Sequence, residues 1–266
     1  MSTENNSVFT KENLDLYLKE LAKEYRKLSG KAMPAEIILI GGAAILERYG
    51  FRDMTTDVDA IIRAASSMKE AANRVRDRFD LPVGWLNADF MQTDSYTPKL
   101  IEHAVYYKTY SNVLSIRIVA AEYLIAMKLK AGRKYKNDLS DIIGILAEHE
   151  TRGEPISMDR IETAVTQLYG GWENIPADSA AFIRDAMQNG NFAAVYEEVR
   201  AGERQAKDLM VQFQQDYPGI MKQENAEDIL KNLQRREDSR TSILAQLKQP
   251  PVPSAKPRKK KTEPDR

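Results

Sequence analysis

Glu36-Ile-Ile-Leu-Ile-Gly-Gly-Ala-Ala-Ile-Leu46 and Asp57-Val-Asp-Ala-Ile-Ile62 are the stretches on which the reading of this chain turns. The run from Glu36 to Ile40 is short, rich in β-branched residues and nearly all apolar, which predicts a strand buried on both faces. Gly41-Gly42 ends that strand, and Ala43 to Tyr49 suits a short helix. Asp57 to Ile62 alternates at first and then turns apolar, so a second strand is expected there. The order is therefore strand, glycine pair, short helix and a strand that opens on Asp-x-Asp.

On the N-terminal side, Leu14, Tyr17, Leu18, Leu21, Tyr25 and Leu28 recur at helical spacing, and Gly30 follows them, so a helix is expected over 11–29. On the C-terminal side, residues 66–79 read as a charged amphipathic helix, and 81–102 is irregular, with Pro82 and Pro98. Residues 105–110 and 113–119 predict a hairpin turning at Ser111-Asn112, and helices follow at 120–131 and 137–148. After Glu150 the strand signals stop, and helices are expected over 157–169, 177–188, 192–215 and 225–247. From Gln249 the chain is Pro-rich and then basic. The expected organisation is an N-terminal helix (1–30), an α+β domain with a small mixed sheet (31–150), an α-helical region (151–248) and a disordered basic tail (249–266).

Composition narrows the chemistry. The 266 residues are 42% apolar and 29% charged with zero net charge, so a packed core is expected and no global basic field points to nucleic acid. The absence of cysteine excludes disulfides, thiolate metal sites and cysteine nucleophiles. His103 and His149 are the only imidazoles, and neither stands near a paired acid and nucleophile. A metal bound here is held mainly by oxygen, which favours magnesium, manganese or calcium. The polar N-terminus carries no apolar signal segment, and no run is long enough to span a membrane, so a cytoplasmic protein is expected.

The glycine pair and the aspartates make one chemical unit. Glycines let backbone approach a bulky anion without an intervening Cβ, and the start of the following helix offers free N–H groups to phosphate. Carboxylates at i and i+2 of a strand share a face. Asp57 and Asp59 can thus jointly hold Mg²⁺ beside a triphosphate bound at Gly41 and Gly42.

In this order the elements resemble the nucleotidyltransferase superfamily, whose signature is Gly-Gly or Gly-Ser, a short helix, and Asp-x-Asp on a strand. Leu81-Pro-Val-Gly-Trp-Leu-Asn87, Leu114-Ser-Ile-Arg-Ile-Val119, Tyr123-Leu-Ile-Ala-Met-Lys-Leu129 and Asp138-Leu-Ser-Asp141 extend the resemblance to an uncharacterised bacterial branch near the AbiEii-type toxin nucleotidyltransferases. It covers roughly residues 33–148. In those toxins a helix lysine and a later aspartate join the strand aspartates at the active site, which implies Lys128 and Asp138 here, with Asp141 one helical turn on. From its neighbours alone, Lys128 either reaches a triphosphate as a point charge or snorkels at the edge of the core. Polymerase-like members place a third carboxylate on a neighbouring strand. Here the strand 113–119 carries Ser115 and Arg117 instead, leaving Asp138, Glu122 and Asp89 as candidates.

The expected function is Mg²⁺- or Mn²⁺-dependent transfer of a nucleotidyl group from a nucleoside triphosphate to an RNA or protein acceptor, in a toxin–antitoxin setting. Asp57 and Asp59 are expected to bind metal, Gly41, Gly42 and Lys128 the nucleotide, and Lys128 and Asp138 to assist catalysis. The alternatives are a non-catalytic member that binds a nucleotide or partner protein, and a scaffold whose helices 192–215 and 225–247 pair with another chain. Trp85, in the irregular stretch with Asn87, reads first as a tryptophan plugging the core under a loop and otherwise as a surface for stacking on a base. Tyr106, Tyr107 and Tyr110 with Lys108 read as sheet packing, and the basic tail as a possible contact to RNA phosphates.

Overall fold

Four consecutive apolar residues leave β1 (Ala35–Leu39) no solvent face, and its interior positions Ile37, Ile38 and Leu39 are fully buried. A strand of that kind belongs in the middle of a sheet covered on both sides. The computed structural model, which describes residues 8–222 and 225–248 with side chains to 237, places it there. The sheet runs β3-β2-β1-β5-β4. β2 (Val58–Arg63) lies antiparallel to β1 with Leu39 opposite Ala60, and β5 (Leu114–Val119) lies parallel on the other side with Leu39 opposite Ile118. β3 (Leu86–Asn87) adds to β2 in parallel, setting Asn87 against Asp59, and β4 (Ala104–Tyr110) closes the far edge antiparallel to β5. The one charged residue of β1, Glu36, is met by Arg63 at 3.3 Å and Arg117 at 3.4 Å from the strands either side.

The hairpin turns where expected: Ser111 and Asn112 have φ of 52° and 54°, the pair of positive values that a tight primed turn requires. α1 (Lys11–Ser29) opens on a reciprocal cap between Thr10 and Asn13 and buries Leu14, Leu18, Leu21 and Tyr25, the predicted stripe. Each of those leucines contributes about 1.5–3 kcal/mol by leaving water. α1 packs against α3 (Ser67–Phe79). Just ahead of it, Phe9 exchanges two backbone hydrogen bonds with Thr55, at 2.8 and 2.9 Å. Trp85 plugs the core, as the first of its two readings expects, and does not line a base pocket: it is 3% exposed, packs with Phe9 and Tyr17, and donates its indole N–H to the Ala72 carbonyl. The segment expected to be irregular also contains β3 and short 3₁₀ turns at Asp89–Gln92 and Pro98–Ile101.

α2 (Gly41–Arg48) differs from expectation by starting on the glycines instead of after them. Gly41 sits at φ +59°, so one left-handed residue swings the chain from strand into helix and leaves no room for a separate turn. α4 (Ala121–Ala131) packs against both α5 (Asp138–Thr151) and α6 (Met158–Tyr169), and α7 (Ala177–Asn189) follows. By packing, the chain forms one unit to Lys207 and a second from Asp208, the division falling within α8 (Phe192–Asp216). The second unit includes α9 (Ala226–Lys248), with Met210, Ala226 and Leu230 buried. Among the described residues no helix is long and apolar enough to cross a membrane. The expected basic tail, 249–266, lies outside the described residues.

Candidate functional site

The glycine pair and the aspartates meet. A Cβ built on Gly41 would stand 3.3 Å from Asp59 Oδ2, so that carboxylate lies directly over the glycine that opens α2. A Cβ on the next residue, Gly42, would stand 2.5 Å from Thr55 Oγ1 and 2.9 Å from an Arg52 guanidinium nitrogen. Both positions are filled by polar side chains of other segments, and both residues therefore have to be glycine. The residue before them, Ile40, makes no side-chain cap, so the first-turn N–H groups of α2, which a helix cannot satisfy internally, receive no help from it.

Asp57 stands just before β2 and is exposed, while Asp59 is half-buried within the strand. Thr55, itself buried, donates to Asp57 Oδ1 at 3.4 Å and so ties that carboxylate to the loop over Gly42. Burial pushes the Asp59 carboxyl up to about 6, and the like charge of Asp57 pushes the same way. Arg133 and Lys128 pull it down, and Asp89, just beyond β3, adds a weaker upward push. Two carboxylates, one made reluctant to ionise by its surroundings, form a pair that a cation would relieve.

The fourteen residues between Gly42 and Asp57 are held by one face of α5. The Gly50 N–H donates to Glu148 at 2.9 Å, the Phe51 ring fills the space a Gly144 side chain would take (2.5 Å from its Cβ position), and Arg52 pairs with Asp141 at 2.6 Å. Asp141, Gly144 and Glu148 recur at i, i+3 and i+7, so a single helical stripe docks Gly50, Phe51 and Arg52 in order. Glu203 on α8 in turn accepts from the Leu139 and Ser140 N–H groups at 2.9 and 3.3 Å, capping the start of α5. Burial raises the Glu203 carboxyl to about 7, even though Ser140 and the Leu139 N–H work against the shift.

Lys128 and Asp138, which the resemblance implies at the active site, are engaged with each other. Lys128, 5% exposed, pairs with Asp138 at 2.8 Å and with Asp141 at 2.7 Å. Burial alone would lower its ammonium, but the two carboxylates outweigh that and raise it. Asp138, 1% exposed, also accepts from Arg133 at 2.8 Å. Burial opposes its ionisation, yet Lys128 and Arg133 hold it well below the ordinary carboxylate range. The result is a chain Arg52–Asp141–Lys128–Asp138–Arg133 lying behind the glycine pair at one end and acting on Asp59 at the other.

Arg52, Thr55, Arg133 and Glu203 are absent from the sequence reading. Each lies in a loop or on a charged helix face, where polar residues are the rule; Arg52, Thr55 and Glu203 gain their places through contacts distant in sequence, and Arg133 through Asp138 across the turn between two helices. His149 sits under Tyr49 with a 3.3 Å contact, and His103 stacks on Tyr123. Among the described residues no group of three or more acidic or histidine side chains forms a cluster able to hold a metal ion. Two adjacent carboxylates nonetheless suit magnesium, which keeps several waters and shares phosphate oxygens with a substrate instead of taking an all-protein cage.

A family model described as "Nucleotidyltransferase of unknown function (DUF6036)" matches residues 17–169. No curated protein and no solved structure matches the chain. The matched stretch contains the glycine pair, both aspartates and the whole charge chain from Arg52 to Asp141, and the protein belongs to this family of nucleotidyltransferases of unknown function.

Proposed function

We propose that this chain transfers a nucleotidyl group from a nucleoside triphosphate to a hydroxyl of an RNA or protein acceptor, with Mg²⁺ or Mn²⁺ held by Asp57 and Asp59. The observation that carries the reading is the 3.3 Å approach of Asp59 to the Gly41 Cβ position, which brings one of the two carboxylates to a helix start whose glycines add no side chain of their own. In this reading Gly41 and Gly42 receive the phosphates, whose charge the start of α2 favours. The ion, when bound, neutralises phosphate charge and aligns the displacement. The acceptor oxygen forms a bond to the α-phosphorus, the bond from that phosphorus to the bridging oxygen breaks, pyrophosphate leaves with its electron pair, and the hydroxyl proton passes to water. Lys128 adds positive potential beside Asp59 from within its buried pairs, and Asp138 holds that lysine in place. Nucleoside triphosphates and magnesium are cytoplasmic, so the reading places the protein there. Its resemblance to AbiEii-type toxins extends the proposal to a toxin–antitoxin pair with a neutralising partner protein.

A second reading, nucleotide binding without transfer, draws on one observation: Asp138, the expected helper, has both oxygens committed to cations. Label transfer separates the two. Incubation with α-labelled triphosphates, Mg²⁺ and cellular RNA or protein is expected to label an acceptor with wild type and not with Asp57→Ala/Asp59→Ala. Label retained only as bound nucleotide supports the second reading. Growth arrest on expression of wild type but not of the double variant is the outcome that supports a toxin, and unchanged growth in both counts against it.

A further inference from the structure

The resemblance assigns the triphosphate's cation to Lys128, but the geometry points to a different residue. Lys128 carries three N–H donors, is 5% exposed, and spends its charge on Asp138 and Asp141 at 2.8 and 2.7 Å. A lysine so held has little to offer an incoming anion. Arg52 is the opposite case. Its Nε donates to the Met54 carbonyl at 3.0 Å and its Nη1 to Asp141 at 2.6 Å, so two corners of the guanidinium are fixed. The third corner, Nη2, lies 2.9 Å from the Cβ position of Gly42, with Cζ at 3.2 Å, and has no acceptor among the described residues.

We propose, resting on the nucleotide-binding reading above, that Arg52 is the residue that contacts the triphosphate beside Gly41 and Gly42, and that Lys128 is a positioning residue behind it. The planar fork of arginine suits this place, since it can keep two anchors and still present a donor edge to phosphate, and it stays charged at every working pH. Gly42 is required because any side chain there would displace that edge. Asp141 is the shared element: it holds Arg52 from one side and is itself held by Lys128, so the lysine acts on phosphate only through the position of the arginine. Three cations along two carboxylates also leave the network one positive charge in surplus.

The test is calorimetric titration with ATP, CTP, GTP and UTP and with their monophosphates, in Mg²⁺, for wild type and Arg52→Gln. Wild type is expected to prefer the triphosphate of its nucleotide. Arg52→Gln is expected to lose about 10- to 100-fold in triphosphate affinity, the range of one charge-assisted hydrogen bond, with the monophosphate unchanged. Asp141→Asn should move the same ratio in the same direction and by less, a change that mere loosening of the fold would not produce. Circular dichroism checks folding, and if Arg52→Gln does not fold, Arg52→Lys reads the same ratio with charge retained and the fork lost. A wild-type ratio in a folded Arg52 variant overturns the assignment and leaves the nucleotide reading intact. A wild-type protein that binds no nucleotide overturns both.

Discussion

Asp59 carries opposing demands. Its carboxylate lies over Gly41 beside Asp57, and burial raises its titration from 3.8 to about 6. A carboxyl raised in the folded state binds its proton more tightly there than in the unfolded chain, so its contribution to stability is complete below pH 3.8 and is lost as pH rises through about 6. Asp59→Asn removes that loss. The variant should be more stable than metal-free wild type by about 1–3 kcal/mol at pH 8, with the difference shrinking toward pH 4. Urea unfolding across that range checks it, and a difference independent of pH would contradict the placement of Asp59. Lys128 makes the reverse case: Lys128→Met removes the cation shared by two buried carboxylates, each of which keeps one arginine, and should cost about 3 kcal/mol in the same assay. The meeting of Gly41 and Gly42 with Asp59 was legible in the sequence from their order, a glycine pair closing one strand and an Asp-x-Asp opening the next. Arg52 and Arg133 were not, because an arginine in a polar loop looks like solvated surface until the fold supplies its carboxylate.

Among the elements, α5 organises the site more than its sequence announces. Its apolar periodicity was readable, but the stripe Asp141, Gly144, Glu148 combines three residue types with no common hydrophobicity, and only the docked segment Gly50, Phe51, Arg52 explains it. Gly144→Val should therefore collide with the Phe51 ring, since a Cβ there already falls 2.5 Å from it. The expected cost is about 1–3 kcal/mol, as for other overpacked core positions. Because Arg52 adjoins Phe51, triphosphate affinity should fall as well; thermal melts and nucleotide titration measure the two effects. The hairpin was legible from Ser111-Asn112, whose small polar side chains tolerate left-handed backbone. β3 was not, because two residues carry no period and Leu86-Asn87 owes its strand state wholly to pairing with β2. The start of α2 shifted onto the glycines for a related reason: left-handed φ at Gly41 is a property of the junction.

At the scale of the whole molecule, three buried carboxyls are raised together. Burial lifts Glu47, Asp59 to about 6 and Glu203 to about 7, while burial lowers the imidazole of His149 and so works the other way. With three such carboxyls against one imidazole, the metal-free protein should lose stability as pH rises from about 5 to 8. Magnesium should restore more at pH 8 than at pH 5, because it compensates only an ionised pair. Differential scanning calorimetry at both pH values with and without Mg²⁺ measures this. The α+β class was legible from the loss of strand signals after Glu150, but the packing of the later helices was not: α6 reads like any amphipathic helix, and its contacts with α4 and with the turn Pro98–Ile101 join it to the rest of the first unit. The central claim is that Asp57 and Asp59 form a metal-dependent nucleotide site over Gly41 and Gly42. Titration of each nucleoside triphosphate into wild type and Asp57→Ala/Asp59→Ala, with and without Mg²⁺, tests it most directly. Magnesium-dependent binding by wild type, absent in a folded double variant, is the predicted result, and equal binding by the two, or none by wild type, would contradict it.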